Sequence, residues 1–297
     1  MSPGQVESGR SFEWGIANTL HDSLKDSIFI DNGAKKRAFE AFSNCTASEK
    51  LKISKASEEI ALFLIARDKY LQLKYRYTIV LQSDKSGESG DVRDIVIISQ
   101  KNEIGISAKN RHTAVKHSRL SDTIDFGKQW FEVPCSSDYF NVIVPIFLEL
   151  RQLRDKKEYW RDLDNKSARF YIPILNAFKN EATRICEYSI ESPKHMLEYL
   201  IGKYDFYKII KENGDVLIQS FNLRGTLGWG KKIKLPSRLI EIRFKPESNN
   251  TLFLTFDEGW QLSLRIHNAE SHVVPSLKFD IQIIGYPSVS QNEIQYE

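Results

Sequence analysis

The chain has 297 residues, of which 27% are charged and 41% hydrophobic, and a net charge of +3, so it fits a globular protein able to bury a full core as one large or two modest domains. No apolar run approaches the ~18 residues of a membrane span, and the N-terminus, Met-Ser-Pro-Gly-Gln-Val-Glu, lacks the basic and apolar regions of a signal peptide. The three cysteines, Cys45, Cys135 and Cys186, are odd in number and far apart, which argues for reduced thiols in a cytosol over a disulfide framework or zinc site.

Phe12, Ile16, Leu20 and Leu24 recur every fourth residue and predict a helix with one apolar stripe. Glu13 sits in its first turn, where a carboxylate suits the helix dipole; the other reading aims it at a metal. Thr46 and Glu49 have capping-box spacing ahead of a second helix over 48–67. Alternation from Leu71 to Gln82 predicts a long strand with one buried face. A polar loop over 84–90 leads to Asp94 and the wholly apolar run Ile95 to Ile98, a strand buried on both faces. After a turn at 99–102, Glu103 to Lys109 returns as its partner. Antiparallel pairing puts Asp94 opposite Ser107 or Ala108, with Lys109 just beyond. A carboxylate and an amine at one end of a rigid hairpin suit a divalent metal and a water oriented against a phosphate.

Beyond Lys109 the pattern predicts a helix, with Lys116 and Arg119 on one face. Residues 126–139 are aromatic and irregular. Helices follow over 139–159, bent at Pro145, over 167–188 and over 193–203. From Phe206 the signal is β: 216–221, 239–244, 251–256, 260–266 and 277–284, several separated by turn residues. The tail from Ser288 is polar and expected to fray.

The charge is unevenly spread. Residues 101–119 hold five Lys or Arg and two His against the single acid Glu103, and residues 224–245 hold seven basic residues against the single acid Glu241. Such clusters on a near-neutral chain suit a polyanion; the alternative is solvated faces whose carboxylate partners come from elsewhere. In 260–267 the even positions face inward, leaving Gln261, Ser263, Arg265 and His267 outward, with Asn268 just beyond. In 277–283, Lys278, Asp280 and Gln282 face out. These side chains can read base edges in a major groove, although an ordinary solvated sheet face looks much the same.

The hairpin resembles the PD-(D/E)xK nuclease core, with Asp94 as the first Asp, Lys109 as the Lys and Ser107 in place of the middle acid. The wider sequence is more specific. Gly-Asp-Val-Arg-Asp-Ile (90–95), Glu-Ile-Gly-Ile-Ser-Ala-Lys (103–109), Ala-Val-Lys-His-Ser-Arg-Leu-Ser (114–121), Pro-Cys-Ser-Ser-Asp-Tyr (134–139), Arg-Ile-His-Asn-Ala (265–269) and Pro-Ser-Leu-Lys-Phe-Asp-Ile-Gln-Ile (275–283) resemble the HaeIII family of type II restriction endonucleases. The likeness covers nearly the whole chain. It implies a cytoplasmic prokaryotic enzyme that uses Mg²⁺ to cut double-stranded DNA within GGCC, alongside a cognate DNA methyltransferase of the same restriction-modification system.

The implied fold is α/β, an α+β mixed sheet: a nuclease core over residues 1–130, a helical region over 131–205 and a β-rich recognition region over 206–297, all in one compact unit. Asp94, Ser107, Lys109 and Glu13 are the catalytic candidates. The missing carboxylate is expected from Asp122 or Asp125, which lie 13 and 16 residues after Lys109. Glu103 is read as structural, because four residues of strand place it ~13 Å from Ser107. Asp91 lines the cleft or binds a second ion. Arg111, Lys116 and Arg119 are expected to bind DNA, and His112 and His117 to touch phosphates or cap polar groups; Arg224, Lys231 and Lys232 are expected at phosphates. Arg265, His267, Asn268, Lys278, Asp280 and Gln282 are expected at bases. A palindromic site invites a homodimer, with a monomer cutting the strands in turn as the alternative. The rival functions are a non-catalytic DNA-binding protein and a different metal-dependent nuclease.

Overall fold

The computed structural model describes residues 5–72, 75–83, 91–100, 102–110 and 116–296. By internal contacts the chain forms two units, residues 1–113, 202–234 and 288–297 in the first, and 114–201 and 235–287 in the second. This division cuts across the three consecutive regions expected from the sequence.

The first unit begins with helices α1 (Gln5–Ser23), α2 (Gly33–Ser43) and α3 (Ala47–Arg67). The stripe Phe12, Ile16, Leu20 and Leu24 is buried as its spacing predicts. Thr46 and Glu49 form a reciprocal capping box that fixes the start of α3. A seven-stranded mixed sheet follows, comprising β1 (Ile28–Phe29), β2 (Thr78–Leu81), β3 (Ile95–Ile98), β4 (Glu103–Asn110), β6 (Phe206–Lys211), β7 (Asp215–Phe221) and β12 (Ser290–Gln295), in the order β1-β2-β3-β4-β6-β7-β12. The β1–β2 and β4–β6 pairs are parallel and the others antiparallel. One face of the sheet carries Ile79, Ile95, Ile97, Ile104, Ile106, Tyr207, Ile209 and Ile218 into a core shared with the helices. Behind that core, the fully buried Asp68 accepts from the Tyr207 hydroxyl and the Gly228 amide, so its charge is bonded rather than stranded.

Two expectations change in this unit. Among the described residues, regular strand covers only Thr78–Leu81 of the long strand read over 71–82. The polar tail is not frayed: β12 pairs with β7 along its length, and Tyr296 is buried with its hydroxyl donating to the Glu212 carbonyl.

The second unit holds β5 (Lys116–Leu120), α4 (Ser137–Asp155), α5 (Ile172–Tyr188), α6 (Ser192–Ile201), β8 (Leu239–Phe244), β9 (Thr251–Phe256), β10 (Gln261–His267) and β11 (Leu277–Gly285). Its sheet is antiparallel, ordered β5-β11-β10-β9-β8. Short π-helical turns at Gly127–Phe131 and Ser167–Tyr171 precede α4 and α5. Pro145 lies inside α4, as read. Of the helix expected after Lys109, residues 111–115 lie outside the described residues, and Lys116–Leu120 is instead the strand β5, because Leu120, Arg119 and Ser118 pair with Leu277, Lys278 and Phe279 of β11. The inward alternation of β10 and β11 holds: Leu262, Leu264, Ile266, Leu277, Phe279 and Ile281 are buried, and the ring of Phe279 meets Trp130 and Phe178.

Candidate active site

The hairpin of β3 and β4 builds the site. Ile95 pairs with Ile106, and the Asp94 amide donates to the Ile106 carbonyl at 2.8 Å, so Asp94 lies opposite Ser107. The buried isoleucines on either side leave that register no freedom, since a one-residue slip would turn them to solvent. Asp94 Oδ2 accepts from the Ala108 amide at 2.7 Å, from Lys109 Nζ at 3.2 Å and from Ser107 Oγ at 3.3 Å. Asp94 Oδ1 has no protein partner among the described residues. Asp94 and Lys109 are each about one-quarter exposed, and Ser107 is buried. A carboxylate fixed through one oxygen, a hydroxyl and an ammonium thus converge at the end of one hairpin.

Asp91 and Glu103 are used otherwise. Both oxygens of Asp91 accept from Arg93, and one also accepts from Gln82 at 2.9 Å. Burial pushes the Asp91 carboxyl up, but the bonds from Arg93 and Gln82 outweigh it and hold the group below its usual range. The other arm of Arg93 reaches Glu103 at 2.9 Å. Arg93 packs directly over Gly105, where an added Cβ would lie 2.2 Å from its Cδ. The triad therefore ties the segment that leads into Asp94 to Glu103 at the turn end of the hairpin.

Glu13 is half-buried on α1, the helix whose Ser8 accepts from the Asn110 side chain next to Lys109. Asp122 and Asp125 belong to the second unit and are committed there. Asp122 accepts from Arg151 at 2.6 Å. Asp125 Oδ1 accepts from the Lys128 and Cys135 amides, capping the turn at Gly127.

The exposed face of β10 and β11 carries a charged cluster centred on Asp280. Arg265 Nη2 lies 2.8 Å and His267 Nε2 3.1 Å from Asp280 Oδ2, and Lys278 Nζ lies 3.8 Å from its other oxygen. Arg265 remains 58% exposed, so its guanidinium is held by one carboxylate while still open to a partner. Gln282 is exposed on the same face, and Arg119 on β5 donates to Ser276. Asn268 differs from expectation: its amide donates to the Glu270 and His272 carbonyls and accepts from the Val274 amide, so it shapes the loop between β10 and β11. Arg224, Lys231 and Lys232 are exposed on the first unit; the Arg224 backbone is anchored by Asp205 and its Nε by the Lys203 carbonyl. Arg111 and His112 lie outside the described residues, as do the side chains of Lys116 and His117.

Two neighbours of Asp94 and Ser107 escaped the sequence reading. One is the Ala108 amide, invisible because any residue supplies it. The other is Lys208 on β6, paired with Ser107. Its signal was a lone lysine inside the otherwise apolar Phe206–Ile210.

The model of the HaeIII restriction endonuclease family matches residues 9–287. The type II restriction enzyme HaeIII of Haemophilus aegyptius is 40% identical over 97% of this chain and 96% of its own length. No solved structure matches. A family match spanning both units, with the Asp94–Lys109 hairpin inside it, places the chain in the HaeIII restriction endonuclease family.

Proposed function

We propose that this type II restriction endonuclease hydrolyses phosphodiester bonds of duplex DNA within GGCC, using Mg²⁺ at Asp94 of a PD-(D/E)xK-type hairpin. The observation that carries this is the convergence of Asp94, Ser107 and Lys109 on one hairpin end.

The residues fit such an ion. Among the described residues no group of three His, Cys, Asp or Glu is gathered for a metal. Mg²⁺ does not require one, since it is held by one or two carboxylates, waters and substrate phosphate oxygens. The unshared Oδ1 of Asp94 is a suitable ligand, with the Ser107 hydroxyl able to hold a ligated water. When bound, Mg²⁺ stabilises charge on the transition state and acidifies the attacking water. The chain's own groups do the positioning. The Ala108 amide fixes the Asp94 carboxylate. Lys109 orients the water or neutralises the phosphate. No covalent intermediate with the protein is needed.

The face of β10 and β11 is assigned to the bases and the exposed lysines at 231 and 232 to phosphates. Arg265 and Lys278 offer donors to guanine O6 and N7, and Asp280 an acceptor to cytosine N4. Asn268 plays its part through the loop it holds. Plasmid DNA incubated with Mg²⁺ tests the whole reading: discrete fragments ending within GGCC are expected. A smear would mean a nonspecific nuclease, and intact DNA a binding protein.

A further inference from the structure

Arg93, the residue before Asp94, brackets an exposed aromatic. Its Nε and Nη2 donate to the two oxygens of Asp91 and its Nη1 to Glu103, so its in-plane donors are turned to acids. Its stem occupies the place of a side chain at Gly105, where an added Cβ would lie 2.2 Å from Arg93 Cδ. Residues two apart on a strand share a face, so Arg93 lies on the face that presents Ser107, ~7 Å further along β4. The flat side of the guanidinium meets the ring of Tyr204, with Cζ 4.0 Å from the ring centre. Arg93 is 7% exposed in this cation–π contact.

The chain around Tyr204 is held as firmly. Gly202, at φ +116°, sits so close to Val92 that an added Cβ would lie 2.7 Å from its Cγ2. Asp205 is 3% exposed and accepts from the Arg224 and Thr226 amides and from the Thr226 hydroxyl. The loop over 202–205 is thus seated on the segment 91–93 and tied to 224–226, all within the first unit. Tyr204 is nevertheless 46% exposed, and its hydroxyl bonds to no other described residue. Lys203 and Arg224 beside it are exposed, and Arg224 Nε donates to the Lys203 carbonyl. A fixed, uncovered phenol beside two cations, on the Ser107 face of the hairpin, suits DNA, whose phosphates accept from tyrosine hydroxyls.

We propose that Tyr204 is a substrate contact, its hydroxyl donating to a phosphate next to the scissile one on the strand being cut, with Arg93 positioning its ring. The proposal rests on the reading of Asp94 and Lys109 as the active site. Because Arg93 adjoins Asp94, one bracket sets the spacing between the flanking phosphate and the reacting one.

The test is Tyr204→Phe in the full-length protein, beside Asp94→Asn and wild type. The phenyl ring keeps its place on Arg93, so the melting temperature should not move. Without divalent ion, binding of a GGCC duplex should weaken about 10-fold or more. Mismatched duplexes should weaken alike, because phosphates carry no sequence. The logarithmic salt slope should stay as in wild type, since a neutral hydroxyl releases no counterion. With Mg²⁺, kcat/KM should fall by a similar factor. Duplexes with a single phosphate replaced by an uncharged methylphosphonate locate the contact. At one position flanking the cut, the replacement should cost Tyr204→Phe about 10-fold less than it costs wild type. Wild-type affinity and kcat/KM in Tyr204→Phe overturn the proposal, as does a methylphosphonate profile identical in the two proteins. Weaker binding accompanied by a lowered melting temperature and that identical profile makes Tyr204 structural. Wild-type cleavage by Asp94→Asn overturns the active-site placement itself.

Discussion

Asp94 is held by bonds to a single oxygen, and that division of labour decides what its loss should do. The Ala108 amide and Lys109 fix the group, so Asp94→Ala removes the proposed metal ligand without emptying the core. Cleavage with Mg²⁺ should fall by at least ~10³-fold, and Lys109→Ala by ~10²–10³-fold, while gel-shift affinity for DNA is largely kept. Near wild-type rates from either variant would misplace the site. Asp91 lies only three residues away, yet the opposite outcome is expected. Arg93 and Asp91 have side chains 7% and 11% exposed, whereas that of Glu103 is 50% exposed. Removing one partner of a buried pair costs ~3–5 kcal/mol, against ~0–1 kcal/mol for an exposed one. Asp91→Asn should therefore destabilise the protein in urea far more than Glu103→Gln. The Asp91 carboxyl is held below its usual range. Its stabilising effect is accordingly complete above the ordinary carboxylate range and lost as pH falls through the lowered value. Asp91→Asn should show a flatter loss of stability in acid than wild type.

Elements whose partners are close in sequence were the ones legible from it. Ile95–Ile98 and Glu103–Asn110 are joined by one turn, and their apolar pattern predicts both the pairing and the meeting of Asp94 with Ser107. The inward faces of β10 and β11 follow equally from alternation. Strands β5 and β12 were missed because their evidence is distant. β5 is made a strand by β11, more than 150 residues later, as the Arg119–Lys278 pair shows, and local spacing suggested a helix instead. β12 reads as a polar tail because alternate residues face solvent; only β7 supplies its backbone partners. The place of Lys208 beside Ser107 was illegible for the same reason, since only the β4–β6 pairing reveals it. The tail provides a test at this scale. Tyr296 is 7% exposed and bonded to the Glu212 carbonyl, so Tyr296→Ala should cost ~3 kcal/mol in urea unfolding. A frayed tail would leave the transition unmoved.

On the proposed reading the tasks are divided between the units: Asp94, Ser107 and Lys109 belong to the first, and the Asp280 cluster to the second. Asp122 and Asp125 also belong to the second, each with a partner there. Asp125→Asn should lower the melting temperature without changing the Mg²⁺ concentration needed for half-maximal cleavage. The same titration of Asp122→Asn tests it as the relocated acid, and a raised Mg²⁺ requirement is the result that would assign it that role. Recognition can be separated from backbone grip in the same way. Arg265 is fixed by Asp280 and still 58% exposed, the state expected of a donor preorganised for a guanine edge. Lys232 is an exposed lysine on the first unit, outside any strand, suited to a phosphate. Loss of a bidentate base contact costs ~1–3 kcal/mol at one base position, whereas loss of a phosphate contact weakens all sequences alike. Arg265→Ala should therefore narrow the affinity gap between a GGCC duplex and its single-mismatch variants by ~5- to 150-fold. Lys232→Ala should leave that gap unchanged while flattening the salt dependence by about one unit of slope. Equal weakening of every duplex by Arg265→Ala would make Arg265 a phosphate or structural residue, and base reading would then have to come from elsewhere, with residues 134–139 and 111–119 the next to test.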